Sequence, residues 1–465
     1  MGDGAIIAPD SFLMKGEEVP EREWWGGNPA SKMRTSPPRT AGDNNNNTRD
    51  MPPAADSGGG RRRGAGLLRR DAESRRVRGL DLARGIAVLG MFAAHLGPAP
   101  DQPSGQLLSI FHGRSAALFL FLAGVSLALI SGGVQRADGP TLRRSRIKIA
   151  ARAGVLLVLG LLLTSLVADI EVILPVYALL FVLALPLLRA RPRTLILLAG
   201  TLAIGGPVLS YGIRGFLHLT PASTPPAPGL SAATSWNNLV DGIVSVAING
   251  AYPVLTVLPI TLVGLSVGRL DLSVRSVQRR LLGAGAVLSA VGYGGSALAV
   301  HFGDLATIIG SGSIANGQQQ MHDAAIAESG TVPTTSWAWL LTAGPHSGTP
   351  LEILGAGGCA LAVLGVALII GNRPHRVFHP LLAVGTMPLT AYTGHLLAVW
   401  AFGTGEDNTQ KWLLLAATIA TTMTLAVIWL RYFQSGPLEA GLRTIANTAT
   451  KRSGRDPRSR PGSPD

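Results

Sequence analysis

The chain has 465 residues, 47% of them apolar and only 14% charged, with 58 glycines, a balance that suits packed membrane helices better than a soluble core. A single cysteine, Cys359, excludes an intramolecular disulfide and a cysteine-rich metal site, and its apolar surroundings make it a packing residue. The formal charge of +13 raises nucleic acid as a partner, a question that only the placement of the charges can decide.

Residues 1–34 carry Ile7, Leu13 and Val19 at a spacing of six, the period of a left-handed β-helix built from hexapeptide repeats. The stretch resembles the last coil and exit segment of hexapeptide-repeat acyltransferases. One coil cannot bury a core without neighbours, so it is expected to be a remnant. Residues 35–77, with "NNNN", "SGGGRRRG" and clustered prolines, read as a disordered basic linker. No signal peptide opens the chain, and the first apolar run is expected to act as an anchor that is not cleaved.

From 78 to 450 the sequence reads as one transmembrane domain. Apolar runs long enough for a bilayer of roughly 30 Å fall near 79–97, 115–131, 150–168, 171–188, 194–212, 251–268, 281–301, 351–371, 380–402 and 412–430. Residues 335–343 and 236–250 suit interfacial or re-entrant segments better than full crossings. The tail 451–465 is expected to be disordered. The expected fold is therefore all-α, a polytopic integral membrane protein with about ten transmembrane helices and a disordered N-terminal extension.

Charge orients this layout. With the N-terminus inside, inward segments carry thirty Lys or Arg, and outward segments carry only Arg114, Arg214 and Lys411. The asymmetry predicts both termini in the cytoplasm of a cell (plasma) membrane, and it accounts for the basic balance without nucleic acid.

The first span reads "RGLDLARGIAVLGMFAAHLGP". Asp81 and Arg84 lie three apart on a helix and can pair. His95 follows Arg84 by eleven residues, three turns plus about 20°, so both project from one face about 16 Å apart along the axis. Ionisable residues within a span are costly, which makes these candidates for function, although a pair that only orients the helix fits equally. His112 and Arg114 in "HGRS" fall in the first outer loop. His346 and Ser347 in "PHSGTP" precede the eighth span, where they suit acceptor binding or an ordinary helix-entry turn. His395 with Tyr392 and Thr393 sits inside the ninth span, where interhelical hydrogen bonding is the commoner explanation. Arg143, Arg144, Arg146, Lys148 and Arg152 flank the third span on the inner side, and Arg189, Arg191 and Arg193 the next inner turn. They suit the phosphates of a polyanionic substrate, but orientation already predicts them. His375 and His379 read as loop residues. "GAGG" at 355–358 is helix packing, and neither a metal spacing such as HExxH nor a GxSxG elbow is present.

The arginine-to-histidine pattern in "RGIAVLGMFAAH" resembles the first-helix signature of membrane-bound O-acyltransferases of the acyltransferase-three type. "LDLARGIAVLGMF" and "GRSAALFLFLAGVSLAL" are similar to the opening helices of a sister group, the heparan-α-glucosaminide N-acetyltransferase-like and YeiB-like transmembrane proteins. "YPVLTVLPITLVGLSVGRLDL", "PHSGTPLEILGAGGCALAVLG", "VGTMPLTAYTGHLL" and "RYFQSGPLEAGLR" resemble the second half of the YeiB-like branch. The resemblance implies an acyltransferase that takes an acyl group from cytoplasmic acyl-CoA, acetyl-CoA foremost, without a metal. It implies an acceptor on the outer side, such as an envelope glycan, a lipid or an exported metabolite. The heparan-α-glucosaminide enzymes place their histidine in the first outer loop and have Asn where this chain has His95, so the role stays open between His95 and His112. Imidazole is the natural base for deprotonating an acceptor. His95 is read as base or carrier, with Arg84 and Asp81 on its helix, and Arg114 or the "HGRS" amides as donors to an oxyanion. His346, Ser347, His395 and Tyr392 are the candidates around the acceptor. Arg143, Arg144 and Arg146 are the candidates for acyl-CoA. A transporter or flippase without covalent chemistry is the competing reading.

Overall fold

In the computed structural model, residues 6–7, 24–26, 31–32, 77–99, 103–167, 170–219, 228–310, 316, 318, 331–371 and 376–453 are described. The chain divides into two units, residues 1–71 and 72–465. In the first, β1 (Ile6–Ile7) pairs in parallel with β2 (Trp24–Gly26), and β2 pairs antiparallel with β3 (Ser31–Lys32). Most of the hexapeptide-like stretch and nearly all of the linker lie outside the described residues, as does the tail beyond 453.

The second unit is helical. Its apolar runs form α1 (Arg78–Leu96), α2 (Arg114–Ile130), α3 (Gly139–Leu166), α4 (Leu174–Ala184), α5 (Pro192–Phe216), α6 (Trp236–Val244) and α7 (Val254–Val267). They continue with α8 (Arg275–Ser289), α9 (Gly295–Phe302), α10 (Leu305–Ile309), α11 (Pro350–Gly371), α12 (His379–Thr386), α13 (Pro388–Phe402), α14 (Asn408–Tyr432) and α15 (Pro437–Ser453). Among the described residues seven helical stretches are long and apolar enough to cross a membrane, or nine if each of two bent pairs is one span. The protein is an all-α polytopic integral membrane protein.

Three of the ten expected spans take a different form from a straight crossing. α4 has 11 residues, about 16 Å of helix, and gives way to a 3-10 turn at Pro186–Arg189. The stretches 236–250 and 251–268 form one bent pair, α6 with its π-turn followed by α7, at 57°. Gly250 and Pro253 occupy the break, where proline cannot continue the hydrogen-bond ladder. The ninth span, expected as one helix over 380–402, is broken by 89° between α12 and α13. Pro388 begins α13, and Met387 ahead of it leaves the helical region at φ −133, ψ 50, as the residue before a proline does.

α1 is the hub. It packs against α2, α11, α12, α13 and α14 and buries residues on every side, from Leu80 and Asp81 to Phe92 and Leu96. α14, by contrast, buries only Leu415 and Ala426 and offers the rest of its apolar surface outward, as a lipid-facing helix does. Lipid gives packed helices no hydrophobic reason to associate, so close approach of small residues does the work. The clearest case is α8 against α11. A Cβ on Gly285 would meet the main chain of Ala362 and Gly358, and one on Gly358 would meet Ser289 and Gly285. The "GAGG" run thus lies in this contact.

Buried polar groups close the ends of the helices. Arg269, after α7, donates to the carbonyls of Ala128, Ser131, Gly133 and Leu188 and to Ser131 Oγ. A cation among helix-end carbonyls satisfies groups that a membrane cannot.

The α8–α11 contact gives opposite signs to one substitution two residues apart. Gly285→Ala should lower stability by about 1–3 kcal/mol, whereas Gly283→Ala, which opens onto empty space, should be neutral or stabilise by about 0.5–1 kcal/mol. Thermal unfolding of both variants in detergent reads the difference.

Candidate functional site

His95 lies in the last turn of α1 and meets the ninth span. Its Nδ1 is 3.0 Å from Nε2 of His395, and the rings stack with centroids 5.3 Å apart. Phe92, one turn earlier on α1, packs 4.7 Å from the His395 ring, and Tyr392 contacts it edge-on at 5.1 Å. The Tyr392 hydroxyl accepts from the Ile173 amide at 3.4 Å. His395 is fully buried and His95 half-buried.

Beyond His95 opens a small cavity of about 30 Å³, lined by His95, His112, His346, Tyr252, Glu171 and Ser115 among others. His112 is held with Nδ1 3.3 Å from the Leu108 carbonyl. His346 takes the left-handed conformation, φ +59, and its ring meets Tyr252 edge-on at 5.1 Å. Imidazoles from α1, from the loop that follows it and from the loop ahead of α11 therefore share one cavity, and a fourth backs the first.

Other expected site residues lie elsewhere. The Arg114 guanidinium lies 4.4 Å over the Tyr293 ring and donates to the Ser109 carbonyl at 3.1 Å, so its side chain does not line the cavity. Ser347 contacts Thr349 at 3.3 Å, and Thr349 Oγ1 accepts from the Glu352 amide at the start of α11. "PHSGTP" thus does both things its sequence allowed: His346 lines the cavity while Ser347 and Thr349 build the helix entry. Arg84 donates to Asp81 at 3.1 Å and to Ser126 Oγ at 2.7 Å, near the opposite end of α1. Arg143 and Arg144 are exposed, and exposed Arg146 donates to the Leu185 carbonyl at 3.2 Å. His379 begins α12, and His375 lies outside the described residues.

Several residues at the site were not singled out from sequence. Tyr177 on α4 has a buried hydroxyl without a hydrogen-bond partner among the described residues. Arg152 Nε is likewise buried and without a partner among the described residues, with the cations Arg443 and Arg84 nearby. Glu171 and Tyr252 stand at the edges of apolar runs, where a lone carboxylate and a tyrosine were the available signals. Glu439 of α15 matters most. Its carboxylate accepts from the amides of Leu389 and Thr390 at 2.7 and 3.1 Å and from Thr390 Oγ1 at 2.6 Å. It caps the start of α13, the helix that carries His395, with negative charge at a helix N-terminus.

Glu439→Ala should cost about 1–2 kcal/mol and loosen α13, read as a lower melting temperature and faster amide exchange at Leu389 and Thr390. His346 lies outside the spans, and burial, helped by His112, pushes its imidazole down to about 4. The unfolded chain takes up that proton first, near pH 6.5. Its share of stability is therefore whole above that pH and lost as pH falls towards about 4. His346→Asn, which tolerates the left-handed conformation, should lose less melting temperature than wild type between pH 7 and pH 4 in detergent.

The family described as heparan-alpha-glucosaminide N-acetyltransferase, catalytic, matches residues 76–273, and a second, described as a protein of unknown function (DUF418), matches residues 329–449. No curated protein matches the chain. His95 and His112 fall in the first match and His346, His395 and Glu439 in the second, so the stacked histidine pair joins the two regions. Both matches lie in order along one helical membrane domain, and together they support a heparan-α-glucosaminide N-acetyltransferase-like family of transmembrane proteins: the chain is similar to it over residues 76–273 and to the DUF418 family over residues 329–449.

Proposed function

We propose that the protein moves an acyl group from acyl-CoA, acetyl-CoA foremost, on the cytoplasmic side to an acceptor on the outer side, with His95 as the base. The observation that carries this reading is the cavity where His95, His112 and His346 converge, at the end of α1 remote from Arg84. The family is a membrane acetyltransferase type. In this reading both termini are cytoplasmic. The acceptor is an envelope glycan, a lipid or an exported metabolite.

Each end of α1 has a chemistry that suits its substrate. At the Arg84 end, Arg152 has an unpaired buried nitrogen close to Arg443 and Arg84, and Arg143 and Arg144 stand exposed on the same helix. Guanidinium groups in that setting suit the phosphates of CoA. The arm carrying the thioester then has about 16 Å of α1 to follow before it meets His95, past Tyr177 and Tyr392. At the far end the acceptor's oxygen or nitrogen attacks the thioester carbon, and His95 Nε2 takes its proton. The carbon–sulfur bond breaks, and CoA leaves as a thiolate that takes up the proton His95 had removed, which restores the neutral imidazole. The Ser115 hydroxyl and the Gly113 main chain at the cavity wall are the groups placed to meet the developing oxyanion. Neutral imidazole is required for the first step.

The test is radiolabelled acyl transfer by purified protein in liposomes, to a pool of envelope-type acceptors and separately onto the protein. His95→Ala should reduce transfer by about 10²–10⁴-fold, and His112→Ala by less. Absence of CoA binding and of transfer from any donor would return the reading to a transporter.

A further inference from the structure

The mechanism above uses one nitrogen of His95. Its other nitrogen is already committed, because Nδ1 lies 3.0 Å from His395 Nε2. Two neutral imidazoles in such a contact share one proton, and which ring donates decides what His95 can do. If His95 donates, its Nε2 carries a lone pair and is a base. If His395 donates, His95 carries its proton on Nε2 and cannot accept another there.

The surroundings of His395 choose between these. Its Nδ1 is buried and, among the described residues, makes no hydrogen bond of ordinary geometry. A helical side chain leans back over the turn before its own Cα, and with Nε2 turned to His95 the polar groups of that turn are the carbonyls of Ala391 and Tyr392 on α13. A lone pair facing carbonyl oxygens is repelled, whereas an N–H there is favoured. His395 therefore keeps its proton on Nδ1, and its Nε2 accepts from His95. The ring has little freedom to turn away, held between Phe92 and Tyr392 at 4.7 and 5.1 Å. Tyr392 is itself fixed by the Ile173 amide, and the start of α13 by Glu439.

We propose that His395 is a positioning residue that holds His95 as the Nδ1–H tautomer, with Nε2 free to take the acceptor's proton. This assignment rests on His95 being the base. Free imidazole side chains prefer the opposite tautomer, so without an acceptor on Nδ1 His95 would carry its proton on the wrong nitrogen. The role is that of an acceptor behind a catalytic histidine, here supplied by a second, neutral imidazole in a setting that excludes water.

Two substitutions separate positioning from packing. In His395→Gln the side-chain oxygen can reach the place of Nε2 and accept from His95. In His395→Leu the volume is filled but the acceptor is gone. With acyl transfer measured in liposomes, His395→Leu should lower kcat by about 10- to 100-fold with KM little changed. His395→Gln should restore kcat to within about threefold of wild type. Equal activity of the Leu and Gln variants would overturn the proposal, because a packing role predicts it. A second readout needs no acyl transfer: carbethoxylation of His95 by diethyl pyrocarbonate, followed by peptide mapping of the folded protein in detergent. Slower modification in the Leu variant and a wild-type rate in the Gln variant would support the tautomer assignment even if no acyl donor were found. Unchanged rates in both would overturn it while leaving an acyltransferase reading intact.

Discussion

A helix broken inside a bilayer exposes main-chain amides that water cannot reach, and the break at Met387–Pro388 is the constraint around which the site is built. Pro388 removes one donor and bends the span by 89°. The next two amides, of Leu389 and Thr390, are taken by the carboxylate of Glu439 from α15. Only with that cap can α13 begin where it does, and its starting point sets the depth of Tyr392 and His395. A straight helix over the same residues would send His395 along another line, away from the end of α1. The last helix of the domain is thus tied to the start of α13 by Glu439 and by the Leu438 amide, which donates to Thr390 Oγ1.

The approach of α12 to α1 depends on small residues. A Cβ on Gly85 would meet the Leu381 carbonyl, and one on Gly385 would meet the carbonyl of Asp81. Glycine is required because main chain meets main chain, the mode of packing that lipid favours. With α12 seated this closely, α13 leaves the bend beside the half of α1 that carries His95. Backbone contact at one end of α1 and ring stacking at the other are therefore parts of one arrangement.

The interior polar groups divide along the same helix. Arg84, Asp81 and Ser126 form a paired cluster at one end, and the imidazoles gather at the other. Tyr392 is buried beside the imidazoles, and the hydroxyl of Tyr177 on α4 is buried as well. Polar side chains inside a membrane protein are costly unless paired or in contact with a substrate. A line of them joining a cationic end to a histidine end fits an anionic, extended donor and a site where a proton must be removed. The two matched regions supply different parts of this line and meet at the pair His95–His395.

Much of this was legible along the chain. Apolar run length and charge placement marked where helices form, because a bilayer demands about twenty apolar residues and backbone bonds closed within each segment. The eleven-residue interval between Arg84 and His95 placed both on one face of one helix, which follows from helix geometry alone. The sequence reads as one apolar run over 380–402, and the break at Pro388 was missed, since an apolar run looks the same whether or not it bends, and the angle depends on what packs against the two halves. His395 read from sequence as a polar residue needing a partner. Which partner it found, and that the Arg114 guanidinium lies over Tyr293, followed from contacts between residues far apart in the chain. Local pattern decides what a segment becomes; only tertiary packing decides which buried polar groups meet, because each can be satisfied by many others and the fold selects one.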